Sequence, residues 1–312
     1  MRIIITGGTG LIGQALTARL ASQGHQVLIL SRSPERAAHP PPASDAQAEV
    51  QIAQWDARTA DGWTKFVNGA DAIVNLAGAS INRRWPPDYK RVIRDSRLDA
   101  SRAVVQAVEQ ASCRPGVVVQ ASGTGYYGPR QDETVSEGAS SGTGFLGQTA
   151  VAWEASTAPV EDPGPSGAGV RRVIIRSGVV LSAGGGALPR MVLPIRFFVG
   201  GSLGSGEQWL PWVHIADEVR AIQFLIETEA VSGPFNVTAP HPVTNAEFSR
   251  ALGQAMRRPA HFPVPSFVLR LLLGEMSNVI LEGQRAVPQR LLDLGFNFRF
   301  EELPIALRDL LD

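Results

Sequence analysis

The feature that most limits what this chain can fold into is the turn Gly7-Gly8-Thr9-Gly10-Leu11-Ile12-Gly13, which follows the apolar run Arg2–Thr6 and opens the helical pattern Leu11–Gln23. A strand, a glycine turn and a helix in that order begin a βαβ unit whose turn suits a dinucleotide. Gly7 permits the tight turn, Gly10 lets backbone amides approach a pyrophosphate, and Gly13 lets helix and strand pack closely. Thr9, Leu11 and Ile12 complete the set expected at the phosphates, where a helix N-terminus presents free N–H groups and a partial positive charge. The competing reading is a turn that only connects strand to helix.

Downstream, short β-branched runs alternate with helical patterns, the signature of βαβ units and a parallel sheet. The predicted strands are Arg2–Thr6, Gln26–Leu30, Val50–Gln54, Ala72–Leu76, Val117–Gln120 and Arg172–Arg176. Their nearly continuous apolar character is that of strands covered by helices on both faces. Helices are predicted at Leu11–Gln23, Pro87–Ala111 and Phe145–Ser156, and Pro34–Asp45, Thr157–Gly169 and Ser182–Gly186 are predicted loops. Beyond about Pro240 the pattern becomes mainly helical, at Asn245–Met256, Ser266–Leu273, Pro288–Leu294 and Glu302–Leu311. The expectation is an α/β, doubly wound parallel sheet of the Rossmann type over 1–180, with 210–240 returning to it. A smaller, mainly helical lobe over 181–312 completes the chain.

Composition narrows the partners. Lys and Arg number 29 against 29 Asp and Glu, so no general field draws the chain to nucleic acid or an anionic membrane. A small-molecule substrate is the partner class left. The single cysteine, Cys113, cannot form an internal disulfide, and the five histidines lack metal-ligand spacing, so no metal is expected. No apolar run spans a bilayer and no targeting segment is visible at Met1, which together suggest a cytoplasmic protein.

Cofactor choice is read at the end of the second strand, where an acidic residue would hold a ribose 2′-hydroxyl. Here stand Ser31 and Arg32. Without a carboxylate to repel it, a 2′-phosphate meets a guanidinium able to make charge-assisted bonds, which favours NADP. Arg36 lies nearby in a predicted loop. If Arg32 is an ordinary solvated charge, the pocket accepts NAD as well.

Together, the glycine turn, Asp56, Asn75-Leu76-Ala77-Gly78, Ser122–Gly128, Arg176-Ser177-Gly178, Trp212–Asp217 and Phe235-Asn236-Val237 resemble the extended, atypical short-chain dehydrogenase/reductases of the NAD(P)-dependent epimerase/dehydratase family. Asp95-Ser96-Arg97, Gly125–Gly128, Phe145-Leu146 through Trp153-Glu154 and Leu294-Gly295-Phe296 are similar to an uncharacterised epimerase-family subgroup with a C-terminal domain of unknown function. The resemblance implies that Asp56 contacts the adenine side of the cofactor and that Leu76, Ala77 and Gly78 line its ribose and phosphate path. Asp56 as a turn cap, and Leu76–Gly78 as strand-end packing, are the alternatives. A homodimer through the Pro87–Ala111 and Phe145–Ser156 helices is likewise implied.

The chemistry departs from that family. Its members carry a Tyr and, four residues later, a Lys on one helical face, where the cation lowers the phenol pKa. Counted from Glu154 these positions fall on Leu146 and Ala150. Counted from Gly128, the usual Ser or Thr falls on Gly123, and a helix asparagine aligns with Arg97. Tyr126, Tyr127, Ser122 and Thr124 remain as candidates to move a proton. Packing is the alternative role for both tyrosines. Arg83, Arg84 and Trp85, with Gln208, Trp209, Trp212 and His214, are candidates on the substrate side, each with a structural alternative. Two functions follow: an NADP-binding oxidoreductase or epimerase-like enzyme acting on a hydroxyl or carbonyl compound, such as a nucleotide sugar, through an unconventional proton donor, or a non-catalytic NADP-binding redox sensor or regulatory module.

Overall fold

The computed structural model describes residues 1–36, 49–163 and 169–312. Seven strands form one parallel sheet: β1 (Arg2–Thr6), β2 (Gln26–Ser31), β3 (Val50–Gln54), β4 (Ala72–Asn75), β5 (Val117–Gly123), β6 (Arg171–Ser177) and β7 (Gly233–Val237). Their spatial order is β7-β6-β5-β4-β1-β2-β3. The chain winds outward from β1 in one direction and then from β4 in the other, so a crevice opens between the carboxyl ends of these two neighbours.

Alternation along β1 explains the layers. Ile3 and Ile5 point to one face and pack with Leu16 and Leu20 of α1 (Leu11–Ser22) and with Ile222 and Leu225 of the helix Ile215–Glu227. Ile4 points to the other face, where α2 (Pro87–Gln110) buries Ala100, Ala103, Val104, Ala107 and Val108, an apolar stripe at helical spacing. Pro87 suits the first turn of α2, where its missing N–H costs nothing. The helix α3 (Phe145–Ala155) packs beside β5.

Two differences from the sequence reading have clear causes. β5 and β6 run on past their apolar cores, pairing Ser122 with Arg176 and Gly123 with Ser177, because buried polar side chains satisfy one another there. Ser182–Gly186, expected as a loop, is a hairpin in which Val179–Ser182 pairs antiparallel with Gly185–Gly186, and Gly186 adopts φ 75°. Of the other two predicted loops, Pro34–Arg36 and Ala158–Glu161 form 3₁₀ turns, while 37–48 and 164–168 lie outside the described residues.

The C-terminal region has its own core. Phe248 and Leu252 of the helix Asn245–Ala255 meet Leu303, Ala306 and Leu307 of the helix Leu303–Leu311 around Trp212. A capping box, Thr244 with Glu247, starts the first of these helices. Asp217, fully buried, accepts the N–H groups of Arg299 and Phe300 and fastens this region to the helix that covers the sheet.

Its neighbour Glu218 is buried with one oxygen accepting from Ser177 at 2.6 Å and the other unpartnered among the described residues. Loss of water pushes this carboxyl up to about 7, with the Ser177 hydrogen bond opposing. The folded protein therefore holds a proton that the unfolded chain releases near the ordinary glutamate value of about 4.3. This contribution is complete below that value and is lost as pH rises through about 7. Glu218→Gln is expected to flatten the decline between about pH 4 and 7 and to add about 2–3 kcal/mol at pH 7.5, measured by urea unfolding.

Candidate active site

A cleft of about 710 Å³ lies at the carboxyl ends of the sheet, beneath the N-terminal half of α2. The glycine turn forms its floor for steric reasons. Gly7 adopts φ +68°, and a Cβ there would sit 2.8 Å from the carbonyl of Leu76. A Cβ on Gly13 would lie 2.5 Å from Gly8 Cα, so α1 can approach the turn only at a glycine. Gly10 is the N-cap of α1, and no side chain caps it, which leaves the first N–H groups open to an anion.

Gly7, Thr9, Gly10, Ser31, Arg32, Asp56, Leu76, Ala77 and Gly78 all line this cleft. Leu11, Ile12 and Gly13 do not line it with their side chains: Leu11 reaches under the Gly185–Gly186 hairpin, Ile12 packs against the core, and Gly13 is buried. Asp56 borders the cleft, but its carboxylate accepts from the backbone of Arg58 and Thr59 at 2.8 and 2.9 Å. Burial works upward on this carboxyl, yet the Thr59 and Arg58 hydrogen bonds outweigh it and hold it below the usual aspartate value. Ser31 is buried and accepts from the Ser33 N–H, whereas Arg32 is exposed at the rim with no ion pair among the described residues. Arg58, which sequence reasoning missed, borders the same end. Its position two residues after Asp56 was the only available signal.

A second, smaller cavity of about 140 Å³ adjoins the first across Gly78 and Arg97. Leu146 and Ala150 line it, with Gly123, Ser122, Tyr126 and Arg97 around them. The four candidate hydroxyls have separate fates. Tyr127 is buried and donates to Asn236 at 2.6 Å while accepting from Arg176 at 3.0 Å. Burial dominates its phenol and raises the pKa. Ser122 donates to Glu154 at 2.7 Å, and Glu154 takes two parallel bonds from Arg176, at 2.9 and 2.8 Å. Tyr126 alone faces the cavity with a hydroxyl that has no partner among the described residues; its ring lies 3.5 Å from the Arg176 guanidinium carbon. Thr124 is buried at the foot of this turn.

The other substrate-side candidates are structural. Trp85 is buried and donates to the Ile81 carbonyl, Arg83 stacks on Tyr89 at 3.7 Å, and Arg84 lies beside Gly274. Gln208 binds the Leu203 and Ile280 carbonyls, Trp209 donates to Asp132, and Trp212 donates to the His241 carbonyl. His214 caps its helix by accepting from Ala216 and stacks on Phe300 at 3.8 Å. Burial lowers its pKa, with Asp309 opposing. Among the described residues no helix is long and apolar enough to cross a membrane.

A parallel sheet that reverses direction beside a glycine turn, with a cleft at that point, defines a dinucleotide-binding fold. The model for the NAD dependent epimerase/dehydratase family matches residues 3–238, and the chain belongs to that family. A domain of unknown function, DUF1731, matches 264–310. The chain is 39% identical over 312 residues to the epimerase family protein YfhF of Bacillus subtilis, covering 100% of this chain and 98% of that protein. It is 37% identical over 310 residues to the chloroplastic SDR39U1 homolog of Arabidopsis thaliana, covering 99% and 86%. The crystal structure of human epimerase family protein SDR39U1 (isoform2) with NADPH superposes with a TM-score of 0.86 at 35% identity, covering 99% of both chains. The family resemblance read from the sequence is thereby borne out.

Because a Cβ on Gly13 meets backbone, Gly13→Ala is expected to lose about 1–3 kcal/mol of stability in denaturant unfolding, with dinucleotide affinity falling as the turn shifts.

Proposed function

We propose that this chain is an NADP(H)-dependent oxidoreductase or epimerase-like enzyme acting on a small hydroxyl or carbonyl compound, with Tyr126 as the group that moves the proton. The observation that carries the reading is the free Tyr126 hydroxyl in a cavity next to the cleft. Tyr127 and Ser122 are reassigned as positioning residues, because their hydroxyls are already engaged in the buried Arg176–Glu154 network.

In this reading the cleft accommodates the cofactor as follows. The open start of α1, with Gly7, Thr9 and Gly10 and the N–H groups of Leu11, Ile12 and Gly13, holds the pyrophosphate. Arg32 and Arg58 border the end of the cleft where a 2′-phosphate would sit, and the Asp56 carboxylate there is engaged by the Arg58 and Thr59 N–H groups. Leu76, Ala77 and Gly78 form the wall that leads toward the smaller cavity. The presence of NADPH in the human relative supports the same choice. The bound cofactor would supply or accept a hydride at the substrate carbon. Tyr126 then gives its hydroxyl proton to the carbonyl oxygen, or takes one from the alcohol in the reverse direction, while Arg176 packs against its ring.

One observation favours the alternative of a non-catalytic NADP-binding module. The 140 Å³ cavity is smaller than the roughly 300–1,000 Å³ typical of ligand pockets, and Leu146 and Ala150 bring no ionisable group to it.

Two measurements separate these readings. Titration calorimetry should give tighter binding of NADPH than of NADH, and Arg32→Asp should remove a preference of about tenfold or more; equal affinities in the native protein refute the assignment. In a screen of NADPH oxidation against aldehydes, ketones and keto-sugars, Tyr126→Phe should lower kcat by about 10²–10⁴ with NADPH affinity unchanged. Turnover that survives in Tyr126→Phe removes Tyr126 from the mechanism, and no turnover with any carbonyl favours the module.

A further inference from the structure

Arg97 lines the inner cavity and, among the described residues, no anion pairs with it. It sits in the middle of α2, and its aliphatic stem and guanidinium fill the space beside Gly78, where a Cβ would lie 3.1 Å from its Cζ. Its guanidinium carbon stands 4.8 Å from the centre of the Trp153 ring. Only one of its nitrogens is engaged: Nη1 donates to the Ala79 and Ile93 carbonyls at 3.0 and 2.8 Å. Nε and Nη2, which share the opposite edge of the planar group, have no partner among the described residues.

The surroundings offer that edge no anion. No Asp or Glu lines the cavity, and no carboxylate pairs with Arg97 among the described residues. Burial draws its pKa down to about 10, with only Tyr89 opposing, so the group remains charged at neutral pH. A half-buried guanidinium with an open edge and no counter-ion is placed to take an anionic ligand. Of the hydroxyls on the cavity wall, those of Tyr126 and Thr149 have no partner among the described residues and are free to donate, while Ser122 gives its proton to Glu154. Donors converge on a small, otherwise apolar space with Ile81, Ile93, Leu146 and Ala150 around them.

We propose that Arg97 is a substrate-binding residue, and that the free Nε/Nη2 edge receives the carboxylate of a small substrate through two parallel hydrogen bonds, beside Tyr126. An Arg edge matches a planar two-oxygen group bidentately, a fit that neither an ammonium nor a neutral amide reproduces. The substrate class is thus narrowed to compact carboxylates that carry a hydroxyl or carbonyl, since 140 Å³ has room for only a few heavy atoms. This inference rests on the reading of the neighbouring cleft as the cofactor site only for the reaction; anion binding itself does not depend on it.

The test uses the full chain, labelled with ¹⁵N-arginine, and two isosteric probes, acetate and acetamide. Acetate is expected to shift one Arg Nε–H resonance saturably in the millimolar range, and acetamide to bind at least about tenfold more weakly. The shifting resonance should be absent in Arg97→Lys and Arg97→Met. Arg97→Met should also melt higher than the native protein, because an uncompensated, half-buried charge is replaced by an apolar chain of similar length. If Arg97→Met does not fold, the Arg97→Lys spectrum decides. Equal shifts with acetate and acetamide, or a shift retained without Arg97, overturn the proposal, as does a clearly lower melting temperature in Arg97→Met. Repeating the titration at saturating NADP⁺ separates the two sources of an anion: retained acetate binding supports a substrate carboxylate, and competition assigns Arg97 to the cofactor and overturns the proposal. NADPH affinity measured alongside reports on the cleft independently, so failure of the cofactor reading and failure of this one give different results.

Discussion

The ion pair between Arg176 and Glu154 is the contact around which the reactive end of the molecule is arranged. It joins the end of β6 to α3, and each remaining polar edge is used: Ser122 from β5 donates to Glu154, while Arg176 donates to Tyr127 and to the Glu137 carbonyl. Such a pair adds little net stability, since desolvation offsets most of its Coulomb attraction. Its value is geometric, because removing either partner strands a charge in a low-dielectric interior. The pair therefore dictates which hydroxyls are consumed and which is left over. Tyr126 stands against the same guanidinium but makes no hydrogen bond to it, which leaves its hydroxyl available to a ligand.

Around that contact, two kinds of electrostatics divide the site. The outer cleft is solvent-facing and mixed in sign: Arg32 and Arg58 border it together with Asp88, Asp95 and Asp99 on α2. Charges of this sort are screened and act mainly by steering and register. The inner cavity is smaller and mostly apolar, with one guanidinium and free hydroxyls on its wall, so polar contacts there are less screened than at the outer cleft. The boundary between the two is Gly78, where the absence of a side chain makes room for Arg97.

Legibility followed the range of the interactions. The strands from Arg2–Thr6 to Val50–Gln54, α1 and α2 were readable because period-two and period-3.6 apolar patterns are local properties of the chain. β5 and β6 were read too short, because their last residues, Ser122, Gly123 and Ser177, look like loop by composition and become strand only through contacts made across the fold. The Ser182–Gly186 hairpin was hidden for a related reason: its pairing depends on Trp212–His214 being laid against Val179–Ser182.

By itself the sequence determined the glycine turn and the parallel sheet built outward from it, since each depends on residue identity at fixed local spacing. Only the tertiary structure distinguished Tyr126 from Tyr127. The two are adjacent in the chain, but the 3₁₀ turn Thr124–Tyr127 sends one ring into the core and leaves the other at the cavity wall. Tertiary structure also showed Arg97, which the sequence had only aligned with a helix asparagine, as a half-buried cation at the cavity, because it meets Trp153 and Gly78, 56 residues later and 19 residues earlier in the chain, and no local pattern encodes that meeting.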